Sequence, residues 1–362
     1  MCDAISNDLC ESIMNGEQEL RRRLGRMFLV GFDGLTSDDN PALLRLLEQD
    51  QPGGLLLFDR DLAKNRRNVA DPAQVQALCA GLRARSPQPL LIAVDQEGGR
   101  VCRLKEADGF PATVSAAALG ADDDPAATGR AAETMAADLA QLGINWNLTP
   151  VVDLAANPDN PVIARLGRAF GADPAQVTRH AAAVIKAHHR HGVACCLKHF
   201  PGHGSSTNDS HLGCVDVTAS WHEDELRPFR DLIAAGLADA VMSAHIFHRR
   251  LDPALPATLS PAMLNGLLRR DLGYQGVIVS DDLQMRAISD RWSLAEAVGL
   301  AVQAGADMLI IGNQLAREAE TVRLGVEAIL ALLRQGLVTE ARLHASLERI
   351  DLLCKITGGF FP

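Results

Sequence analysis

Aromatic residues are scarce in this chain, at 4% of 362 residues with a single tyrosine. Ala, Leu and Val must therefore do most of the packing, as they do in α/β proteins built on parallel strands. Positive charge is also short. Lys and Arg number 35 against 45 Asp and Glu, a net charge of −10, and the one basic run is Arg21-Arg22-Arg23. That balance excludes a general nucleic-acid surface, and the triplet reads as a solvated helix face. No stretch approaches the roughly 18 uninterrupted apolar residues of a membrane helix. The start, Met1-Cys2-Asp3, has neither the basic beginning nor the apolar core of a signal peptide. Cysteines at 2, 10, 79, 102, 195, 196, 214 and 354 form no CxxC pair, and several fall in apolar runs. Buried free thiols are expected, in a soluble, cytoplasmic and monomeric protein.

Three motifs are missing as well. There is no G-x-S-x-G elbow and no Walker loop, which removes serine-hydrolase and P-loop chemistry. No GxGxxG follows the first strand, which weakens a dinucleotide-binding doubly wound sheet.

What is present is alternation. Strand-like runs occur at Met27–Phe32, Gly54–Phe58, Leu90–Asp95, Ile144–Asp153, Val193–His199, Ala240–His245, Gly276–Asp281 and Met308–Gly312. Helix-period segments intervene, among them Pro125–Leu142, Pro174–His191, Glu223–Ala235, Pro261–Leu272 and Leu294–Ala304. Pro125 and Pro174 each follow an Asp, which suits a helix N-terminus. The pattern predicts an α/β fold, a single (β/α)8 barrel of the TIM type with extra C-terminal helices over Leu315–Lys355. The barrel domain is expected to span 21–362, after an N-terminal extension of 1–20.

Polar residues collect at the C-terminal ends of these strands more regularly than packing demands. Strand three ends in Asp95-Gln96-Glu97-Gly98-Gly99-Arg100, with Arg103 just beyond. Strand four ends near Asp153, and Arg165 and Arg168 follow it. Strand six ends at His245 and strand seven at Ser280-Asp281-Asp282. Any one of these could be a helix cap or a satisfied core histidine. Together they describe a functional barrel mouth.

The densest feature runs from Lys198 to His211, KHFPGHGSSTNDSH. It sets a cation, three imidazoles and a carboxylate after a buried strand, on a segment whose glycines and hydroxyl residues predict a mobile catalytic loop. An Asp209–His211 couple can shuttle a proton, the carboxylate orienting the imidazole. Asp281, held by a rigid strand, can face an electrophilic carbon. A carboxylate opposite a proton donor is the arrangement that splits glycosidic bonds. Lys198, Arg103, Arg168 and Asp95 suit the binding of hydroxyl and anionic groups.

These residues resemble glycoside hydrolase family 3, in its β-N-acetylhexosaminidase branch. The resemblance rests on Val94-Asp95-Gln96-Glu97-Gly98-Gly99-Arg100-Val101, Asn160-Pro161-Val162-Ile163 with Arg168-Ala169-Phe170, the histidine loop, and Ser280-Asp281-Asp282-Leu283. It covers about Arg26 to Leu315. It implies exo-cleavage of non-reducing β-linked N-acetylglucosamine with retention, in peptidoglycan recycling. The implied roles are Asp281 as nucleophile, His211 as acid–base and Asp209 as its partner. Asp95, Arg103, Arg168, Lys198 and His199 would contact the sugar. The implied substrate is N-acetylglucosaminyl-1,6-anhydro-N-acetylmuramic acid, with or without its peptide, and no cofactor or metal is implied. Ala169 stands where relatives often carry serine, so a hydroxyl is lost there.

Other readings remain open. A broader β-glycosidase or a glucosaminide phosphorylase would use the same residues. A metal-dependent barrel hydrolase could recruit His199, His203, His245, Lys198 and Asp281. Asp282 could orient a substrate acetamido group as nucleophile, although a capping role suits it better.

Overall fold

Runs of Leu, Ile, Val and Ala only four residues long become strands here because both of their faces are covered. The computed structural model describes residues 16–38, 40–210, 213–314 and 320–357. Eight strands form the barrel: β1 Phe28–Gly31, β2 Gly54–Leu57, β3 Leu91–Val94, β4 Trp146–Asn147, β5 Ala194–Phe200, β6 Ala240–Ser243, β7 Val277–Asp282 and β8 Met308–Ile311. Each pairs in parallel with its neighbours in the sequence, and β8 pairs with β1 to close the ring. Closure excludes the open doubly wound sheet. β1, β2, β3 and β8 are buried at every position, as continuous apolar parallel strands should be.

The helix starts follow the local chemistry. Asp124 accepts the Ala126 N–H ahead of helix Pro125–Leu142, and Asp173 caps helix Pro174–Arg190. Ser293 and Glu296 form a capping box on helix Leu294–Ala304. The two C-terminal helices are Thr321–Arg334 and Glu340–Ile356. Residues 16–25 are also helical, with Leu20 packed against the core and Arg21 paired to Glu17 and Glu327.

Three expected elements differ. The long fourth strand shrinks to Trp146–Asn147, because Pro150 has no N–H to give the ladder. Pairing returns after it only as a bridge between Val151 and Lys198. The segment from Glu223 divides into a 3-10 turn, Glu223–Leu226, and an α-helix, Arg227–Ala234, which restarts where Pro228 takes the first turn. Ala262–Asp271 is wound as a wider π-helix.

The N-terminal end of the barrel is tied shut by Asp307, which is fully buried ahead of β8. Its carboxylate accepts the Ile278 N–H at 2.9 Å and the Ser346 hydroxyl at 2.6 Å, and it pairs with Arg269, Arg342 and Arg349. The last helix is thereby fixed to the barrel floor. Cys79, Cys102, Cys195, Cys196 and Cys354 are buried free thiols and Cys214 is exposed, while Cys2 and Cys10 lie outside the described residues. Among the described residues no helix is long and apolar enough to cross a membrane.

Candidate active site

A strand normally sends successive side chains to opposite faces. At the end of β5 the register against β6 shifts between Leu197 and Phe200, and Lys198 and His199 both face one cavity at the barrel mouth. Asp153 sets the second of them. Its Oδ1 accepts the backbone N–H of His199 at 3.1 Å and of His203 at 2.7 Å, and its Oδ2 lies 2.7 Å from His199 Nδ1. Arg168, which can only donate, stands 3.3 Å from His199 Nε2. Nδ1 therefore carries the proton toward Asp153, and Nε2 is an acceptor. Burial would raise the Asp153 carboxyl, but His199 beside it holds it below its ordinary value.

Glu97 organises the cations. Its carboxylate takes two bonds from Arg168, at 2.8 and 2.7 Å, and lies 2.7 Å from Lys198 Nζ. Burial alone would raise this carboxyl, yet Arg168 and then Lys198 bring it down to about 2. Asp95 receives Lys198 at 2.8 Å and Arg103 at 3.4 Å, and it too is held low by these cations against its burial. Lys198 is pushed up by Asp95 and Glu97, although burial works the other way. The ammonium and both carboxylates thus stay charged across the neutral range. Gln96 aims Arg103 by accepting its N–H and that of Leu104, both at 3.0 Å.

The loop bearing Arg168 has its own small apolar core of Val151, Val162, Ile163 and Ala169. Ala169 is 3% exposed there, so the missing hydroxyl leaves a methyl among hydrocarbons. Asn160 ties this loop to the histidine loop. It accepts from Val162 and Ile163 N–H groups and donates to the carbonyls of His203 and Gly204. Glu225 holds the histidine loop from the other side, accepting the N–H groups of Gly204 at 3.0 Å and Ser205 at 3.3 Å. Burial raises the Glu225 carboxyl to about 7. Burial also lowers His203 to about 4, and its ring meets Ser206 and Ser210. Further on, the Ser210 carbonyl accepts the Ala287 N–H at 3.2 Å. Asp209 lines the cavity. His211 lies outside the described residues, whereas the loop expected to be mobile is described through Ser210 and is held at His203, Gly204 and Ser205 by Asn160 and Glu225.

Asp281 reaches the same cavity from the end of β7. Its Oδ1 accepts the Asp282 N–H at 2.8 Å. Asp282 turns its Oδ1 to the N–H groups of Gln284 and Gly312, at 3.0 and 3.1 Å. A Cβ at position 312 would stand 2.3 Å from Asp282 Oδ2, so a larger residue there would displace that carboxylate. His245 lies 2.9 Å from the Asp282 carbonyl and 2.9 Å from Thr258 Oγ1, so it braces this turn from below. Arg165 sits apart, exposed and paired with Asp159.

The cavity measures about 450 Å3 and gathers Asp95, Arg103, Arg168, Lys198, His199, Asp209 and Asp281. Every expected site residue that is described therefore comes together. Sequence reading overlooked Glu97 and Asp153 as site-builders, although both stood in plain view at strand ends three and four. Nothing in the sequence said that Glu97 would pair with two cations from different strands. Among the described residues no three His, Cys, Asp or Glu side chains converge as a metal cage, and His199, His203 and His245 spend their ring nitrogens on protein partners.

Fold and mouth define the class: a (β/α)8 barrel presenting carboxylates and paired cations to a sugar-sized pocket at its C-terminal end. Residues 19–353 match the glycosyl hydrolase family 3 N-terminal domain, and the chain belongs to that family. It is 37% identical over 327 residues to a beta-hexosaminidase of Stenotrophomonas maltophilia, covering 86% of this chain and 92% of that one. It is 34% identical over 338 residues to beta-hexosaminidase A of Pseudoalteromonas piscicida, but spans only 55% of that protein. A family 3 beta-N-acetylglucosaminidase structure from Paenibacillus superposes with a TM-score of 0.86 at 36% identity, over 95% of this chain and 63% of that one.

Proposed function

We propose that this chain is a retaining exo-β-N-acetylglucosaminidase that releases non-reducing terminal N-acetylglucosamine from 1,6-anhydro-muropeptides, as a cytoplasmic, monomeric enzyme of peptidoglycan recycling. The observation that carries the reading is the meeting of Asp281 from β7 and Asp209 from the histidine loop in one cavity with the Asp95–Lys198–Glu97–Arg168 group. The relatives' names supply the sugar.

Asp281 attacks the anomeric carbon while the bond to the glycosidic oxygen breaks, and that oxygen takes its proton from His211. Asp209 orients the imidazole. The product is a glycosyl ester on Asp281. His211 then takes a proton from water, which displaces the ester with net retention. Lys198, Asp95, Arg103, Arg168 and His199 hold the sugar hydroxyl and acetamido groups, with Glu97 and Asp153 keeping those side chains in place. Asp282 Oδ1 accepts two backbone N–H groups, a capping role that favours Asp281, and not a substrate acetamido group, as the nucleophile. No step calls for a metal or an organic cofactor.

Turnover should be compared on an anhydro-muropeptide and on aryl β-N-acetylglucosaminides, β-glucosides and β-xylosides, with and without phosphate. The proposal expects cleavage of the muropeptide and the N-acetylglucosaminide alone, with free sugar as product. Preference for the glucoside, or sugar 1-phosphate as product, would overturn it.

A further inference from the structure

A second cavity, of about 180 Å3, adjoins the one at the barrel mouth. The two share only Glu97 and Arg168, whose side chains pair with each other at 2.8 and 2.7 Å. One wall is helix Pro125–Leu142, through Thr128, Ala131, Ala132, Met135 and Asp138. These positions recur at steps of three and four and so share one helix face. Two alanines in the middle of that face leave the space open. Leu119, Val151, Phe170 and Val184 complete a largely hydrocarbon lining. Close-packed interiors seldom leave an apolar void of this size.

Asp138 is out of place on such a face. Of the three charged residues that line the cavity, Glu97 and Arg168 satisfy each other. The half-buried Asp138 carboxylate has neither an ion pair nor a hydrogen bond among the described residues, and burial raises it above its ordinary value. A carboxylate turned toward hydrocarbon is costly unless a cation meets it. Asp138 and the exposed Thr134 mark the open end, and the buried Glu97–Arg168 pair marks the closed one. An apolar cavity of roughly 150 Å3 takes up a benzene ring. The space here therefore holds one six-membered ring, with a charged group at its mouth.

The structure assigns this cavity as a second binding site, for a small organic ammonium with a single-ring hydrocarbon body. The ring lies among Met135, Phe170 and Val184, and the ammonium rests on Asp138. This goes beyond the glycosidase reading above and stands independently of it.

The test is an NMR titration of the full chain with benzylamine, benzyl alcohol and benzoate, which share the ring and differ in charge. Benzylamine should bind with a dissociation constant of about 1 mM, ordinary for so small a ligand. Benzyl alcohol should bind about tenfold more weakly, for want of the charged contact, and benzoate should be repelled. Asp138→Asn should bring benzylamine down to the level of the alcohol and leave the alcohol unchanged. Ala131→Leu, placed at a partly buried position, should fill the space and abolish binding of both. Benzylamine that does not bind, or binds no tighter than the alcohol or benzoate, overturns the site. An affinity that survives Asp138→Asn overturns it too, and one that also survives Ala131→Leu moves the amine to another part of the molecule.

Discussion

Both ends of this barrel bury carboxylates among cations, and the two clusters are built for different ends. At the floor, Asp307 meets Arg269, Arg342 and Arg349, a backbone N–H and a serine hydroxyl, with a C-terminal helix laid across them. Every acceptor site is used within the protein. At the mouth, Asp95, Glu97, Lys198 and Arg168 pair in a similar density but border a cavity of about 450 Å3. The floor cluster consumes its charge in holding elements together, whereas the mouth cluster keeps a charged surface turned toward the cavity. Position relative to strand direction separates them, since strand C-termini open on the site in this architecture.

That contrast can be broken at either end. The largest effect is expected at Asp281, where Asp281→Ala should cut kcat by at least about 1,000-fold. The melting temperature should hardly move, and sugar binding by calorimetry should persist. Unchanged hydrolysis would remove Asp281 from the chemistry. The mirror experiment is Asp307→Ala. Removing one side of a buried ion cluster costs about 3–5 kcal/mol, read as a lower urea midpoint, while kcat of the remaining folded protein should stay close to wild type. A selective loss of kcat there would erase the distinction between floor and mouth.

Glu97 should show both behaviours at lower amplitude. Glu97→Gln frees Arg168 and Lys198 to reorient, so kcat/KM should fall about 10- to 100-fold. Its carboxyl sits at about 2 in the fold, below the ordinary value of 4.5, so its stabilising contribution is complete above 4.5 and disappears as pH falls toward 2. The variant's acid unfolding should therefore be shallower across that window. An acid limb identical to wild type would contradict the pairing.

Glu225 should give the smallest effect, with the opposite sign. Burial raises its carboxyl to about 7, so the fold favours the protonated form. Its contribution is full below 4.5 and is lost as pH rises through 7. Glu225→Gln should flatten thermal stability between pH 5 and 8, and equal slopes in both proteins would show that Glu225 is ionised throughout.

The barrel was largely legible because its strands are buried on both faces and so read as unbroken apolar runs. Helices opened by Asp-Pro, as at 124–125 and 173–174, announced themselves through capping chemistry. The fourth strand misled because Leu148, Val151 and Val152 keep the run largely apolar although Pro150 interrupts its ladder. The seven described site residues were readable from their crowding at strand ends. Glu97 and Asp153 stood in the same crowding, but what they do there was not readable, because it lies in partners 71 and 46 positions away in sequence.

The most direct measurement is trapping with a 5-fluoro N-acetylglucosaminyl donor, followed by peptide mass spectrometry. A sugar label is expected on the peptide containing Asp281, with inactivation matching label uptake. Steady turnover with no label, or a label on any other residue, would contradict it.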